Sequence, residues 1–419
     1  MINNKILIIT YYWPPSGGSG VQRWLNFSNN LVDMGYDVTV LTAEFPNYPL
    51  TDQSLNNYIN PLIKILKVPV FEPAKFFKSK KNNSDNIEGN GMINYLKLFI
   101  RANLFFPDSR MFWINDVVNI ASSFINNNNI NYVITTSPPF SLNIIGYKLK
   151  LRTNIKWISD YRDPWSDFFQ FKNMPMFKYV KKKHIKWEEK CLTLADSVIV
   201  TSPSLKNIYS KINDNTHLIT NGFKDIEETI ESENFEIIYS GVMKSLQNPK
   251  LLWKVLYEIS KSNLSFKKDF KLNLIGSFDK SIHQNKYLKK LKENVIFKNY
   301  MSKDLLSKHL PAAKVFILCD VNQSEKSKAI PGKFYHYLSY KIPIIAFSSL
   351  NSDTHIIIKE TKSGNVFDFS NEIDLKNHIL ELYSNFKNGN YSININDIEK
   401  YKYLNLSSEL QSVIKKTNN

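Results

Sequence analysis

The feature that most constrains the fold is a pattern of short apolar runs, each followed by a turn and an amphipathic helix, in both halves of the chain. The first run, Lys5 to Thr10, leads through a glycine-rich turn into a helix with one apolar face. A fresh run begins at Phe235 and is followed by a helix from about Pro249 to Ser260. Apolar runs that alternate with helices are typical of a parallel sheet covered on both faces. The pattern predicts an α/β protein with two Rossmann-like units.

Length, composition and charge agree with this prediction. A chain of 419 residues is too long for one ordinary core, and its 43% hydrophobic residues can fill two. The net charge of +16 favours an anionic partner: nucleic acid, a membrane surface or a phosphorylated ligand. Nucleic acid is the least favoured of these, because the chain has no basic motif interleaved with aromatic residues.

The two cysteines and the lengths of the apolar runs indicate the cellular compartment of the protein. Cys191 and Cys319 lie far apart in the sequence without other ligands at metal spacing, which indicates neither a disulfide framework nor a zinc site. No run has the length of a signal-peptide core or of a spanning helix. We therefore expect a cytoplasmic protein.

A polar string follows the predicted strand Lys156 to Ser159 and includes Asp160, Arg162 and Asp163. Open α/β sheets bind ligands at the carboxyl ends of their strands. A carboxylate and an arginine there can orient a ligand hydroxyl group through charge-assisted hydrogen bonds. The alternative is a salt-bridged turn in which Asp163 caps the next turn and Trp165 belongs to the core.

The glycine-rich turn and a later proline-glycine turn are candidate phosphate sites. Gly17, Gly18 and Gly20 precede the first helix, although they form no Walker motif and a tight turn alone would explain them. Pro331 and Gly332 open a short helix, whose backbone N–H groups and adjacent Lys333 suit an anion. The alternative for Lys333 is a solvated side chain in an ordinary loop-helix-strand unit.

Residues Met176 to Leu194 form a predicted basic amphipathic helix. Its apolar stripe includes His184, which we expect to be packed and not a ligand. The helix either docks on the core with a solvated cationic face or rests on an anionic bilayer, and both can hold together. The lysines of the cationic face are Lys178, Lys181, Lys182, Lys183 and Lys186.

The strings Pro331-Gly332-Lys333-Phe334-Tyr335-His336-Tyr337-Leu338 and Lys341 to Ala346 resemble the signature of retaining glycosyltransferases of family 4, which have the two-domain GT-B fold. The string Asp160 to Trp165 resembles a motif of one subgroup. The resemblance implies two Rossmann-like domains whose parallel sheets face a central cleft. It also implies a donor segment around residue 331 that holds the diphosphate and the sugar of a nucleotide sugar.

Carried onto this chain, the resemblance implies two sets of site residues. The expected donor-binding residues are Gly17, Gly18, Gly20, Arg23, Gly241, Lys244, Pro331, Gly332 and Lys333. The expected catalytic residues are Asp160, Arg162, Asp163 and His336. The chain departs from the family at His336 and Lys328, which stand where the family usually has a pair of glutamates.

The expected domains are residues 1–223 on the acceptor side, a polar linker at 224–234, the donor domain at 235–390, and a last helix in 391–419 that crosses back. Residues 72–92 read as a mobile surface excursion.

The expected function is transfer of a hexose from a nucleotide-diphosphosugar to a saccharide or lipid-linked saccharide in cell-surface polysaccharide biosynthesis. The resemblance implies retention at the anomeric carbon. The sequence has no Asp-x-Asp pair, so a catalytic metal is not implied, and we expect no cofactor because the nucleotide-diphosphosugar is a co-substrate. The alternatives are a catalytically silent homologue that binds nucleotide sugar or a partner, and a nucleotide-sugar isomerase. The lysine helix favours a peripheral position at the inner face of the plasma membrane.

Overall fold

In the computed structural model, two sheets of parallel strands carry the fold. The structure describes residues 4–72, 92–167, 174–321, 329–389 and 395–417. Most of the 72–92 excursion, and Lys328, lie outside these residues. The chain divides into unit 1, Met1–Thr220 with Leu406–Asn419, and unit 2, Asn221–Asn405.

Unit 1 contains a seven-stranded parallel sheet in the order β3-β2-β1-β4-β5-β6-β7. Its strands are β1 (Lys5–Ile9), β2 (Asp37–Glu44), β3 (Lys64–Pro69), β4 (Tyr132–Ser137), β5 (Lys156–Tyr161), β6 (Ser197–Val200) and β7 (Thr216–Leu218). Its helices are α1 (Ser19–Asp33), α2 (Met92–Leu104), α3 (Trp113–Asn128), α4 (Ser141–Arg152), α5 (Lys178–Leu194) and α6 (Pro203–Tyr209). The chain returns to this unit at Leu406, within the last helix.

Unit 2 contains a six-stranded parallel sheet in the order β10-β9-β8-β11-β12-β13. Its strands are β8 (Phe235–Met243), β9 (Phe270–Phe278), β10 (Val295–Lys298), β11 (Val315–Cys319), β12 (Ile344–Phe347) and β13 (Gly364–Phe367). The helices from here to the end of the chain are α7 (Lys250–Ser262), α8 (Leu264–Asp269), α9 (Lys280–His283), α10 (Lys286–Lys290), α11 (Lys303–Leu306), α12 (Gly332–Ser339), α13 (Asp353–Thr361), α14 (Glu372–Lys387) and α15 (Tyr403–Lys416).

The two sheets share one topology. Counted from its own first strand, each sheet begins 3-2-1-4-5-6, the Rossmann order, and the strand order reverses beside β1 in unit 1 and beside β8 in unit 2. Strands such as Lys5–Ile9, in which four residues are fully buried, have no polar face. Helices therefore cover both faces of the sheet. The α/β prediction with two Rossmann-like units is confirmed.

None of the helices in the described ranges is long and apolar enough to cross a bilayer.

Candidate functional site

The carboxyl end of β5 carries Asp160, which is fully buried inside unit 1. Its Oδ1 accepts a hydrogen bond from Arg23 Nη2 at 2.8 Å. Its Oδ2 accepts from Trp24 Nε1 at 2.6 Å and from Thr136 Oγ1 at 2.7 Å. Both carboxylate oxygens are therefore occupied by donors of the same unit.

Arg23, which lies on α1, is also fully buried. Besides the ion pair with Asp160, its Nη1 donates to the Thr220 carbonyl at 2.6 Å and its Nη2 to the Ile219 carbonyl at 3.0 Å. The pair thus ties α1 and β5 to the end of the first segment of unit 1, at Ile219 and Thr220. We interpret Asp160 and Arg23 as positioning residues, because buried groups with this many internal partners have no atom left for a substrate.

Arg162 joins the polar string to the glycine-rich turn. Its Nε donates to the Ser137 carbonyl at 3.2 Å and its Nη2 to the Pro138 carbonyl, at the end of β4. Its Nη1 occupies the space that a Cβ on Gly20 would need. Gly20 is therefore required for this close approach, and burial lowers the pKa of Arg162.

Asp163 is the residue of the polar string whose carboxylate is available for a ligand. It is half-buried, and the described residues offer its carboxylate no hydrogen bond. Burial raises the pKa of this carboxyl, and the positive charge of Arg162 acts in the opposite direction. A partly exposed carboxylate that receives no hydrogen bond from the described residues can accept one from a substrate hydroxyl.

The other two glycines of the turn, Gly17 and Gly18, have roles in the local backbone structure. The Gly17 N–H donates to the Leu50 carbonyl at 2.9 Å, and Gly18 is the residue before α1. The Gly17 N–H therefore already donates a hydrogen bond within the protein. The contact between this turn and the end of β5 is made by Gly20 and Arg162.

Two residues of α5 hold the loop after Asp163. Glu188 accepts hydrogen bonds from the Trp165 and Ser166 N–H groups, each at 3.0 Å, and one from the Tyr209 hydroxyl. His184 Nδ1 accepts from Trp165 Nε1 at 3.0 Å, and burial lowers the pKa of His184 to about 4. The imidazole is thus a neutral, packed acceptor, as the sequence predicted. The role of Glu188 was not foreseen, since the sequence shows only an acidic residue on a basic helix.

In unit 2 the first turn of α12 carries Lys333, whose ammonium nitrogen is buried. The nitrogen lies 3.8 Å from the centroid of the Tyr239 ring on β8. The described residues give it no hydrogen bond and no ion pair. A buried cation without a partner is costly, so this ammonium is the strongest sign of a ligand in the described structure.

The backbone of β8 lies close to the Lys333 ammonium. Gly241 of β8 has a φ of 118°, and a Cβ built there would lie 3.1 Å from the Lys333 Nζ. β8 pairs with β11, and Cys319 at the end of β11 lies near Lys333 as a neutral thiol, because burial raises the pKa of Cys319 to about 12. The ammonium therefore lies at the carboxyl ends of the two strands beside which the order reverses, where open α/β sheets bind ligands.

The charge state of Lys333 suits an anion. Burial lowers the pKa of its ammonium to about 8, which leaves the group largely protonated at neutral pH. Pro331 caps α12 and accepts from the Phe334 N–H, and the helix begins at Gly332. The unpaired N–H groups of a first turn add donors and a partial positive charge beside Lys333.

His336 and Lys244 stand apart from this group. His336 is half-buried one turn along α12, and burial, with a smaller contribution from the charge of Lys303, lowers its pKa to about 4. Lys244 is exposed in the loop after β8, where its N–H donates to Gln247 Oε1 at 3.1 Å. No contact among the described residues joins Lys244 to Lys333.

Within the described part of the chain, no three His, Cys, Asp or Glu side chains gather in a way that could hold a metal ion.

Comparisons with known proteins agree with this geometry. Residues 222–416 match the family model described as glycosyl transferases group 1. No curated protein sequence matches the chain significantly.

Solved structures resemble the chain over its whole length. Sucrose-phosphate synthase from Thermosynechococcus elongatus has a TM-score of 0.67 at 13% identity, covering 99% of this chain and 98% of that one. A glycosyltransferase from Rickettsia africae ESF-5 has a TM-score of 0.63 at 14% identity, with 100% of both chains covered. A mutant of S. aureus TarM, in complex with fondaparinux, alpha-GlcNAc-glycerol and UDP, has a TM-score of 0.59 at 15% identity, covering 98% of this chain and 99% of that one.

The chain therefore has the GT-B fold, which confirms the predicted fold class. The family match and the neighbours support glycosyl transfer as its activity and a place in the GT-B glycosyltransferase superfamily.

Proposed function

We propose that the protein transfers a hexose from a nucleotide-diphosphosugar to a saccharide or lipid-linked saccharide acceptor, as a step of cell-surface polysaccharide biosynthesis. The observation that carries this proposal is the buried Lys333 ammonium, which makes no hydrogen bond or ion pair with the described residues and lies beside the start of α12. A diphosphate supplies the negative charge that this position lacks.

The chemical contribution of unit 2 is stabilisation of the leaving nucleoside diphosphate. As the glycosidic bond breaks, negative charge grows on the phosphate oxygen, and Lys333 with the first-turn N–H groups of α12 is already oriented toward it. A single preorganised donor of this kind lowers a barrier by roughly 3 to 4 kcal/mol in other enzymes. By the family resemblance, the transfer proceeds with retention and without a metal ion.

The chemical contribution of unit 1 is centred on Asp163. Its carboxylate can accept a hydrogen bond from an acceptor hydroxyl, and Arg162 fixes the loop on which it lies. Glu188 accepts a hydrogen bond from the Trp165 N–H of this loop. The ion pair of Arg23 and Asp160 fixes the end of β5, from which the loop begins.

A panel of nucleotide sugars tests the proposal. Each compound is added to the purified protein and thermal unfolding is followed; a ligand at a hundred times its dissociation constant adds roughly 2.7 kcal/mol of stability. Stabilisation by at least one diphosphosugar, and none by the corresponding nucleoside, is the expected result. No stabilisation by any member would contradict the proposal.

His336 supports a second candidate, a silent homologue that binds a nucleotide sugar without transferring it. Its pKa of about 4 makes it a neutral group at physiological pH, where the family usually has a carboxylate. Product analysis separates the candidates: a transferase forms glycoside only with acceptor, an isomerase converts the donor alone, and a silent homologue does neither.

We further propose that the protein works in the cytoplasm at the inner face of the plasma membrane, where lipid-linked acceptors are found.

A further inference from the structure

Helix α2 carries an apolar stripe that the fold leaves uncovered. Leu96, Ile100 and Leu104 recur every four residues and are 54%, 41% and 69% exposed. Single exposed apolar side chains are ordinary on protein surfaces, but a continuous helical row of them marks an interaction surface.

The stripe lies beside the start of α5. Asn103 of α2 donates from Nδ2 to the Pro175 carbonyl at 2.9 Å and accepts from the Phe177 N–H at 2.8 Å. The Phe99 and Phe177 rings meet edge to face, 5.1 Å apart. Phe99 and Asn103 thus form the edge of α2 that faces α5. Successive helical residues are about 100° apart, so Ile100 and Leu104 lie next to that edge.

Cations flank the stripe on both sides. Lys97 and Arg101 follow Leu96 and Ile100 by one residue and lie on the far side of the stripe, both exposed. On the near side, α5 exposes the five lysines Lys178, Lys181, Lys182, Lys183 and Lys186. Neither α2 nor residues 178–187 contain an Asp or Glu.

The start of α5 adds aromatic surface to the same region. Phe177 and Tyr179 stack with ring centroids 5.6 Å apart and remain 47% and 66% exposed. Aromatic and aliphatic side chains bordered by lysines match the boundary between headgroups and acyl chains of a bilayer.

We propose that this α2–α5 surface binds an anionic lipid bilayer, with Leu96, Ile100 and Leu104 entering the headgroup boundary and the flanking cations contacting the headgroups. Charge complementarity identifies the occupant, because seven cations without a carboxylate select an anionic surface and the stripe selects one with an apolar interior. The proposal rests on the proposed function only for the location of the acceptor.

Flotation with vesicles tests the proposal without donor or acceptor, so its failure and a failure of the proposed function are distinguishable. The full chain is mixed with vesicles of phosphatidylcholine alone or with 30% phosphatidylglycerol. Binding to the anionic vesicles and at least tenfold weaker binding to the neutral ones is the expected result. No binding to the anionic vesicles would overturn the proposal.

Three variants assign the binding to the surface. The apolar variant, Leu96→Gln with Ile100→Gln and Leu104→Gln, and the charge variant, Lys178→Gln with Lys181→Gln and Lys182→Gln, are each expected to bind at least tenfold more weakly. The control, Lys261→Gln with Lys267→Gln and Lys268→Gln, removes the same charge from exposed positions of unit 2 and is expected to bind like the wild type. Unchanged thermal unfolding confirms that each variant folds.

Equal weakening in the control and charge variants would mean that net charge alone drives binding, and would overturn the proposal. So would an apolar variant that binds like the wild type, since an acidic protein or polymer would need only the cations.

Discussion

The polar clusters at the strand ends of the two units differ in how their charges are satisfied. In unit 1, the buried side chains of Asp160 and Arg23 form an ion pair and make further hydrogen bonds to backbone and side-chain groups. In unit 2, the buried Lys333 ammonium faces a tyrosine ring and has no hydrogen bond from the described residues. The difference teaches that a buried charge whose partners are all internal supports the fold, whereas one without partners is kept for a ligand.

The largest expected effect is on the stability of unit 1. Asp160→Asn removes one charge of the buried pair and leaves Arg23 uncompensated, which costs about 3 to 5 kcal/mol. Urea unfolding measures the loss. Asp37→Asn is the matched control, because Asp37 pairs with Lys64 at an exposed position, where such a pair contributes at most about 1 kcal/mol. Similar losses for both variants would contradict the positioning role of Asp160.

The opposite sign is expected for Lys333. Lys333→Met removes a buried charge that has no hydrogen bond or ion pair among the described residues and keeps the apolar stem, so the ligand-free protein gains roughly 1 to 3 kcal/mol of unfolding free energy. The same urea experiment measures it. A clear loss of stability would show that Lys333 has a structural partner after all.

The pH dependence of donor binding comes next in size. The free ammonium has a pKa of about 8, and an anionic donor binds its protonated form. Affinity is therefore level below pH 8 and falls about tenfold per pH unit above it, until the pKa of the complex is reached. Isothermal titration calorimetry from pH 7 to 9.5 measures the slope.

Ligand-free stability changes in the other direction over the same range. Because the unfolded lysine keeps its proton to about pH 10.4, the unfolded state binds more protons above pH 8, and this group makes stability rise with pH. The Lys333→Met variant lacks both trends. A wild-type affinity that stays level to pH 9.5 would argue against the ammonium as the donor contact.

The smallest effect is expected at Lys244. It is exposed and separate from the Lys333 group, so Lys244→Met changes donor affinity less than about threefold, the contribution of an exposed charge. Calorimetry at pH 7 measures it. A loss as large as that of Lys333→Met would place Lys244 within the donor contacts.

The sequence predicted the central strands well and their carboxyl ends poorly. The predicted strand Lys156 to Ser159 extends in the structure to Tyr161, because Thr136 and Ser137 of β4 and Ile199 and Val200 of β6 continue the parallel ladder past the last apolar residue. Strand pairing with distant neighbours, which local pattern does not contain, sets these ends.

The edge strands of unit 1 were not predicted. β3 (Lys64–Pro69) and β7 (Thr216–Leu218) border the sheet of unit 1 and pair on one side only, so they need not be continuously apolar. The apolar spacing in the last helix predicts one face with Leu404, Leu410 and Val413. Leu410 and Val413 are buried, whereas Leu404 is 61% exposed and Leu406 is buried.

For the candidate site, the sequence supplied the identity of Lys333 but not its surroundings. The ring of Tyr239, the close approach of the backbone at Gly241 and the end of β11 come from positions that are far from Lys333 in the chain. For Asp160 and Arg23, the residue types suggest a binding site, but their hydrogen bonds within unit 1 indicate a structural role. Whether a charge is satisfied depends on the folded neighbourhood, which is why both clusters are candidate sites from the sequence.

The most direct measurement of the central claim is the calorimetric affinity of the donor selected by the nucleotide-sugar panel for Lys333→Met at pH 7. A dissociation constant at least a hundredfold above that of the wild type, in a protein that is no less stable, is the predicted result. An unchanged dissociation constant in a folded variant would contradict the claim that this buried ammonium binds the donor diphosphate.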